Sequence, residues 1–574
     1  MNTRDGTMPR GGRWVADDVV ETLRILGTQV VVFNPGASFR ALQDALVHGG
    51  PEAPRAVLAL DEGSAVAVAH GYAKASHAPT AVLLHDVVGL LRGSMGIFNA
   101  YCDRAPLLLI GGSGPLRQAA RRPWIDWIHS ARAQAAAIER FVRYEDQPAY
   151  AEEVVPALVR AWSLALSPPA GPVYLCLDQE LQESASPAPS GREVAPVLLP
   201  GPPAPPPDAA AALSDSLARA RRPVAVVGYL DDRPGAAQEV ADWAEEQAVP
   251  LINAGVRLGV LDGPADVTAV AAQALASADL VLFLDVDDLD SWLGHIPAGA
   301  ELWHVGFRET AGPHWADIRH RFEPRVRDVR GSPLWAIRML QRGAPSAERR
   351  RVWVQRRQEA QAQRSAWREQ AAAACLQATA GPVPAAGLAW ALEQALSPYR
   401  WCLGYGGRQA WLGRLCRFRA EGTYYGHEGG AGLGHGVGHA AGVALARRHE
   451  VDIVLAWVGD GEILYAPGAL WTAAHERLPL LVVVHNNRGY GNTRTHARHM
   501  ADRRGREQAD LSTGVEIERP PVALCDLARS YGVHALGPLA GRPGWEEELR
   551  EAAAYVVAEG RPVLVEVMGD LGSR

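Results

Sequence analysis

The stretch from Gly459 to Gly491, GDGEILYAPGALWTAAHERLPLLVVVHNNRGYG, constrains the fold of this 574-residue chain more than any other. It opens on Gly459-Asp460-Gly461 and closes after Asn486-Asn487. Each end follows an apolar, β-branched run, Val451 to Val458 and Leu480 to Val484. Ala466 to Arg477, between them, has helical spacing and good helix formers. The pattern predicts strand, helix, strand: a βαβ unit whose two strand ends lie side by side. Side by side, those ends offer hard oxygen donors: the Asp460 carboxylate, the Asn487 amide oxygen and the Gly489 carbonyl. Such a face suits Mg²⁺, which keeps positions open for water and phosphate oxygens. Gly461 lets the backbone approach a diphosphate, and the helix that follows presents its N–H groups to it.

The rest of the chain alternates in the same way. Val15 to Leu26 is an amphipathic helix ended by Gly27. The apolar runs Val30 to Phe33, Ala56 to Leu60, Thr80 to Leu84, Leu107 to Ile110 and Val173 to Leu177 are strands. Asn34-Pro35-Gly36-Ala37-Ser38 is a turn, Asp61-Glu62 opens the small-residue helix GSAVAVAHGYAKAS, and the third strand ends at His85-Asp86. Further strands are expected at Val224 to Val227, Val249 to Ile252, Leu280 to Leu284, Leu302 to Val305 and Trp401 to Gly404. Strands alternating with helices argue for parallel sheets covered on both faces. The run ESASPAPSGREVAPVLLPGPPAPPP, from Glu183, is too rich in proline for helix or sheet interior and reads as a linker. Ser346 to Ala374 reads as a charged helical connector with a solvated face.

Composition narrows the classes of function. A net charge of −7 without a basic stripe argues against nucleic acid or an anionic membrane as partner. The six cysteines, Cys102, Cys176, Cys375, Cys402, Cys416 and Cys525, show no CxxC and no pairing rhythm. With no apolar leader at the N-terminus, they point to reduced thiols and a cytoplasmic setting. Lys74 is the only lysine, which counts against Schiff-base chemistry at any other position.

At this spacing, GDG…NN resembles the cofactor motif of the thiamine-diphosphate enzymes. NPGAS, DEGSAVAVAHGYAKAS, LLHDVVG, DRAPLLLIGGSG and GPVYLCLD, in that order, resemble the family's pyrimidine-binding domain, on the branch of benzoylformate decarboxylase, benzaldehyde lyase and acetolactate synthase. The resemblance implies an α/β fold in which two parallel-sheet, cofactor-binding domains flank a smaller Rossmann-like middle domain. Expected boundaries are 1–185 for the pyrimidine-binding domain, 186–207 for the linker, 208–345 for the middle domain, 346–380 for the connector and 381–574 for the diphosphate- and Mg²⁺-binding domain. It also implies at least a homodimer, or a homotetramer, because the two domains that share a cofactor come from different subunits. The middle domain binds FAD in some relatives; here no GxGxxG follows Gly228, and flavin is not the favoured reading.

The same resemblance assigns residues. Glu62 matches the glutamate that hydrogen-bonds the aminopyrimidine ring and so promotes loss of the thiazolium proton. Leu433 matches the apolar residue that bends the cofactor. Pro35, Gly36 and Gly404 join Asp460, Gly461, Asn487 and Gly489 in the cofactor-binding set. Glu462 stands where relatives commonly have a serine that contacts the diphosphate; its carboxylate is expected to turn away and leave the backbone N–H to serve. His85 falls at an active-site histidine of the decarboxylase, able to move a proton near neutral pH, and His129 aligns with a glutamine of the carboligases. Ala37, Ser38, His427 and Glu428 complete the expected substrate set. The implied activity is a transferase or lyase acting on a 2-oxoacid through a decarboxylated enamine. Ala37, which leaves room for an acceptor carbonyl, tilts the expectation to acetolactate-synthase-like carboligation. The alternatives are an aldehyde-releasing decarboxylase and a flavin-linked oxidase.

Overall fold

The structure is a computed structural model that describes residues 12–187, 201–230, 233–254, 269–307, 324–341, 347–378, 381–406, 410–416, 418, 422–426, 429–506 and 512–569. The chain forms two compact units that divide after Gly201. One parallel sheet lies in the first unit and two in the second.

In the first unit the strands are β1 (Val30–Phe33), β2 (Arg55–Leu58), β3 (Thr80–Leu84), β4 (Leu107–Ser113), β5 (Glu145–Asp146) and β6 (Val173–Asp178), in the order β2-β1-β3-β4-β6-β5. VVVF, TAVLL, LLLIGGS and VYLCLD are buried at every position, as central parallel strands covered on both faces must be. The first helix, α1 (Val15–Ile25), stops where expected: Leu26 is its cap and Gly27 takes φ +81°, a turn that a side chain would strain. β2 ends at Leu58, short of the predicted Leu60; Ala59 still gives its N–H to the Phe33 carbonyl at 2.9 Å before the chain passes into α2 (Glu62–Ser76). α3 (Asp86–Cys102) and the short α4 (Ile125–His129) follow.

The only lysine is a structural one. Lys74 Nζ and His70 Nε2 each lie 2.7 Å from the same oxygen of Asp103, and all three residues are buried. Lys74→Met should destabilise the protein by about 3–5 kcal/mol, since it strips a charge partner from a buried carboxylate; thermal or urea unfolding would measure this.

The second unit begins with a five-stranded sheet of β7 (Pro223–Val227), β8 (Leu251–Asn253), β9 (Leu280–Leu284), β10 (Glu301–Gly306) and β11 (Val326–Arg330). Its order from one edge is β8-β7-β9-β10-β11, a doubly wound arrangement. The connector is α5 (Ala347–Gln377), and it is less solvated than expected. Ala371 and Cys375 enter the core of the last sheet, and Arg368 bonds Glu393 at 2.9 Å. Most of the Pro-rich linker lies outside the described residues.

The last sheet holds β12 (Trp401–Tyr405), β13 (Ile453–Gly459), β14 (Leu480–Asn486), β15 (His534–Leu539) and β16 (Val563–Met568), ordered β12-β13-β14-β16-β15. A parallel bridge from Leu403 to Tyr424 adds a further position outside β12. With it, the strand order repeats that of the first unit, so the two sheets are copies of one architecture. The helices that matter here are α6 (Gly436–Arg447), α7 (Asp460–Tyr465), α8 (Gly468–His475) and α9 (Gly491–Arg503). The single helix expected over Ala466 to Arg477 is confined to α8. Pro467, which has no N–H, separates it from α7. Among the described residues no helix is long and apolar enough to cross a membrane.

Candidate active site

Two groups of predicted residues assemble, one in each unit. In the second unit, Gly459 of β13 pairs with His485 of β14, so Asp460 and Asn487 follow neighbouring strand ends. The Asp460 carboxylate accepts backbone N–H groups from Gly461, Asn487 and Gly489. Burial pushes its pKa up to about 6 despite these bonds. Asp460 Oδ2 and Asn487 Oδ1 are buried oxygens without a hydrogen-bond partner among the described residues. Two orphaned hard oxygens on adjacent turns are what a divalent cation requires, so the residues fit Mg²⁺. Gly489 gives its N–H to Asp460, and its carbonyl accepts from Gly491 N–H at 3.1 Å, leaving that oxygen a second lone pair. A Cβ on Gly461 would lie 2.7 Å from the Tyr490 ring, so only glycine lets the tyrosine cover this turn.

Behind this pair, Asn486 holds the turn in shape. Its Nδ2 donates to Glu566 Oε1 at 2.7 Å, and its Oδ1 accepts from Arg488 N–H at 2.8 Å. Glu462 is also accounted for. Its Oε1 accepts from the N–H groups of His435 and Gly436 at 2.9 and 2.8 Å. The carboxylate that would repel a diphosphate is committed to the N-terminus of α6, where the helix dipole favours negative charge. Leu433 is 44% exposed, between glycines. The Gly404 carbonyl accepts from His439 Nδ1 at 2.9 Å. His427 and Glu428 lie outside the described residues.

In the first unit, two neighbouring carboxylates divide the work. Asp61 caps α2, accepting from Ser64 N–H at 3.0 Å and Ser64 Oγ–H at 2.6 Å. That leaves Glu62 free of capping, and no hydrogen bond or ion pair holds its carboxyl among the described residues. It faces Gly89 on α3: a Cβ there would lie 2.9 Å from Glu62 Oε1. Gly93 and Gly96 continue the same face against Glu62 and Val66. Gly89→Ala should therefore move the Glu62 carboxyl without unfolding the helix, which gains roughly 1 kcal/mol of propensity. The expected outcome is a melting temperature unchanged or higher, with turnover clearly reduced.

The turn after β1 closes on His85. A Cβ on Gly36 would lie 2.3 Å from His85 Cβ, and Asn34 Nδ2 ties the turn to the Ala59 carbonyl at 3.1 Å. Pro35 and Ala37 are exposed on this turn. Ser38 is buried, with its Oγ 2.9 Å from His85 Nδ1. The His85 and His129 rings meet edge to face at 5.8 Å between centroids. Sequence reasoning missed Asp86, which sits beside both rings and offers, with them, ligating atoms within 4.8 Å of one another. Burial raises the Asp86 pKa, and His85, Ser38 and His129 oppose that rise. The available signal was a charged residue inside the apolar run VLLHDVVGLL.

Two parallel-sheet domains share one strand order, one holding orphaned acid and amide oxygens and the other a glutamate unpaired among the described residues, an arrangement suited to a cofactor-dependent α/β enzyme. Residues 13–136 match the thiamine pyrophosphate enzyme N-terminal TPP binding domain, and residues 404–567 match the C-terminal TPP binding domain. The chain belongs to the thiamine pyrophosphate enzyme family. It is 29% identical over 568 residues to benzoylformate decarboxylase of Pseudomonas aeruginosa, covering 95% of this chain and 97% of that one. It is 23% identical to acetolactate synthase of Bacillus subtilis, covering 92% of each. A solved 4-hydroxybenzoylformate decarboxylase of Rhodococcus jostii shares the fold, with a TM-score of 0.73 at 22% identity over 97% of this chain and 99% of that one.

Proposed function

We propose that the chain decarboxylates a 2-oxoacid, using thiamine diphosphate and Mg²⁺, and releases an aldehyde. The observation that carries this reading is the pair of imidazoles, His85 and His129, 5.8 Å apart with Ser38 bonded to the first. Releasing an aldehyde after CO₂ is lost needs a proton delivered to carbon, and histidine is suited to that near neutral pH. Likeness along its whole length to a benzoylformate decarboxylase supports the same reading.

Thiamine diphosphate, when bound, supplies the carbanion that adds to the 2-oxo carbon and the sink for the electrons released with CO₂. The protein's own residues do the rest. Asp460, Asn487 and the Gly489 carbonyl would hold Mg²⁺, and Gly461 would admit the diphosphate. Leu433 would offer the cofactor an apolar side chain to lie against. Glu62 would share a proton with the pyrimidine ring, and His85 would carry the proton to and from the substrate.

Ala37 favours a second reading, carboligation, because a small exposed residue on the His85 turn leaves room for an acceptor carbonyl. A panel of 2-oxoacids, assayed for CO₂ and aldehyde with and without added aldehyde, separates the two. Aldehyde equal to CO₂ supports decarboxylation, a ligated product supports the second reading, and no CO₂ from any acid overturns both. We also propose at least a homodimer. Val88, Leu91 and Met95 stand exposed along one face of α3, a row suited to a second copy; sedimentation would check it.

A further inference from the structure

Asp86 has no role in the reading above, yet its setting is costly to maintain. Its carboxylate is buried, with the residue 1% exposed, and its backbone takes φ +47°, the left-handed region that few residues besides Gly, Asn and Asp adopt. An outlier of this kind beside two imidazoles is a reason to ask what it positions.

Three polar side chains from three elements converge on it. Ser38 lies beside it on the turn after β1 and works against the rise in its pKa. His85 Nδ1 lies 3.6 Å from Oδ2, and His129 Nδ1, on α4, lies 4.0 Å from the same oxygen. A carboxylate accepts, so with Asp86 beside it the Ser38 hydroxyl is placed to donate towards Asp86 while its oxygen accepts from His85 Nδ1–H at 2.9 Å. Ser38 N–H also approaches Nδ1, at 3.4 Å, but that is long for a hydrogen bond, and the shorter contact decides. His85 is thereby left with Nε2 as the atom that can give or take a proton. Because Nδ1 is already held by Ser38, the cluster is arranged for proton sharing and not for a cation.

The other ionisable groups near Asp86 do not compete with it. Asp126 on α4 is matched by Arg122 at 2.7 Å. Tyr174 and Cys176 on β6 are kept neutral, because burial pushes the tyrosine well up and the thiol up to about 12. Asp86 is thus the one uncompensated anion facing both imidazoles among the described residues.

We propose that Asp86 is a positioning residue for proton transfer: through Ser38 it fixes the Nδ1–H tautomer of His85, and its charge beside both rings holds them ready to deliver a proton. The inference rests on the proposed role of His85, and its test is chosen to stand apart from activity. Asp86→Asn keeps the shape and tolerates the left-handed backbone, so the fold is expected to hold. Exchange of the histidine C2 hydrogen for deuterium, read peptide by peptide by mass spectrometry across pH, gives the protonation midpoint of each histidine. In Asp86→Asn the His85 midpoint should fall by about one pH unit, with His129 moving the same way. Ser38→Ala should shift His85 in that direction by less. The alkaline limb of 2-oxoacid turnover should move with the His85 midpoint. An unchanged His85 midpoint in a folded Asp86→Asn protein overturns the proposal. Failure to turn over any 2-oxoacid would instead overturn the proposed function, and the exchange midpoint would still decide the role of Asp86.

Discussion

Glu62→Gln is expected to lower 2-oxoacid turnover about 10²–10⁴-fold, the usual contribution of a positioned proton-transfer group. The argument rests on the division of labour with Asp61. Helix N-termini favour acidic residues for reasons unrelated to catalysis, and a lone Glu62 would be explained that way. Asp61 already supplies the cap, through Ser64, and among the described residues Glu62 is left without a partner, against a helix face that Gly89 keeps open. Glutamine preserves size and polarity but cannot exchange a proton. Mg²⁺-dependent binding of the cofactor, measured by calorimetry, should survive, and the melting temperature should stay within a few degrees. Deuterium exchange at the cofactor's thiazolium carbon should slow in parallel with turnover. Full-speed exchange in the variant would remove Glu62 from the mechanism.

Asp460→Ala should weaken Mg²⁺-dependent cofactor binding by more than about 100-fold, since loss of even a residue that orients a metal ligand costs 10–100-fold. The wild-type protein carries a related pH signature. Metal binding needs the Asp460 carboxylate ionised, and burial raises its pKa to about 6. Below pH 6, protons should compete with the metal, and affinity should fall about tenfold per pH unit. Stability of the metal-free protein should run the other way. The folded-state pKa lies above the ordinary 3.8, so folding is favoured when the group is protonated. That advantage, roughly 3 kcal/mol, is lost as pH rises from about 4 to 6. Added Mg²⁺ should restore stability above pH 6, which thermal melts with and without the metal would show.

Most strands were legible in the sequence because they are buried on both faces and so read as unbroken apolar runs; β11, β15 and β16 were not among the expected strands, and VRDVR and HALGPL are broken by charge or by Gly-Pro. Thr80–Leu84 and Leu280–Leu284 fall where predicted, to the residue. β5, only two residues long, has no apolar run to signal it. Around Asp460 the sequence carried the chemistry, since the donors lie within one βαβ unit and their spacing dictates their meeting. Asn486 and Glu566 show the limit: eighty residues separate two side chains that bond at 2.7 Å, and no local pattern joins them. Asp86 was hidden differently. Its neighbour His85 drew the reading; the charge inside the apolar run was the only local signal, and burial with a left-handed backbone is what marks Asp86 out. Glu462 was expected to turn away from the diphosphate; the sequence could not say that α6 would give its carboxylate a use.

The glycine face of α3 bears on how this site can change over time. Gly89, Gly93 and Gly96 set how near α3 lies to α2, and so where the Glu62 carboxyl stands. Elsewhere in a packed interior, a substitution that adds a methyl group can be offset by trimming its neighbour. At Gly89 the neighbour is the Glu62 carboxyl itself, which has nothing to trim. α2 is buried from Ser64 to Ala75, so drift in this helix pair is confined to the exposed positions of α3, while the interval between the two axes stays fixed like the gap of a spark plug.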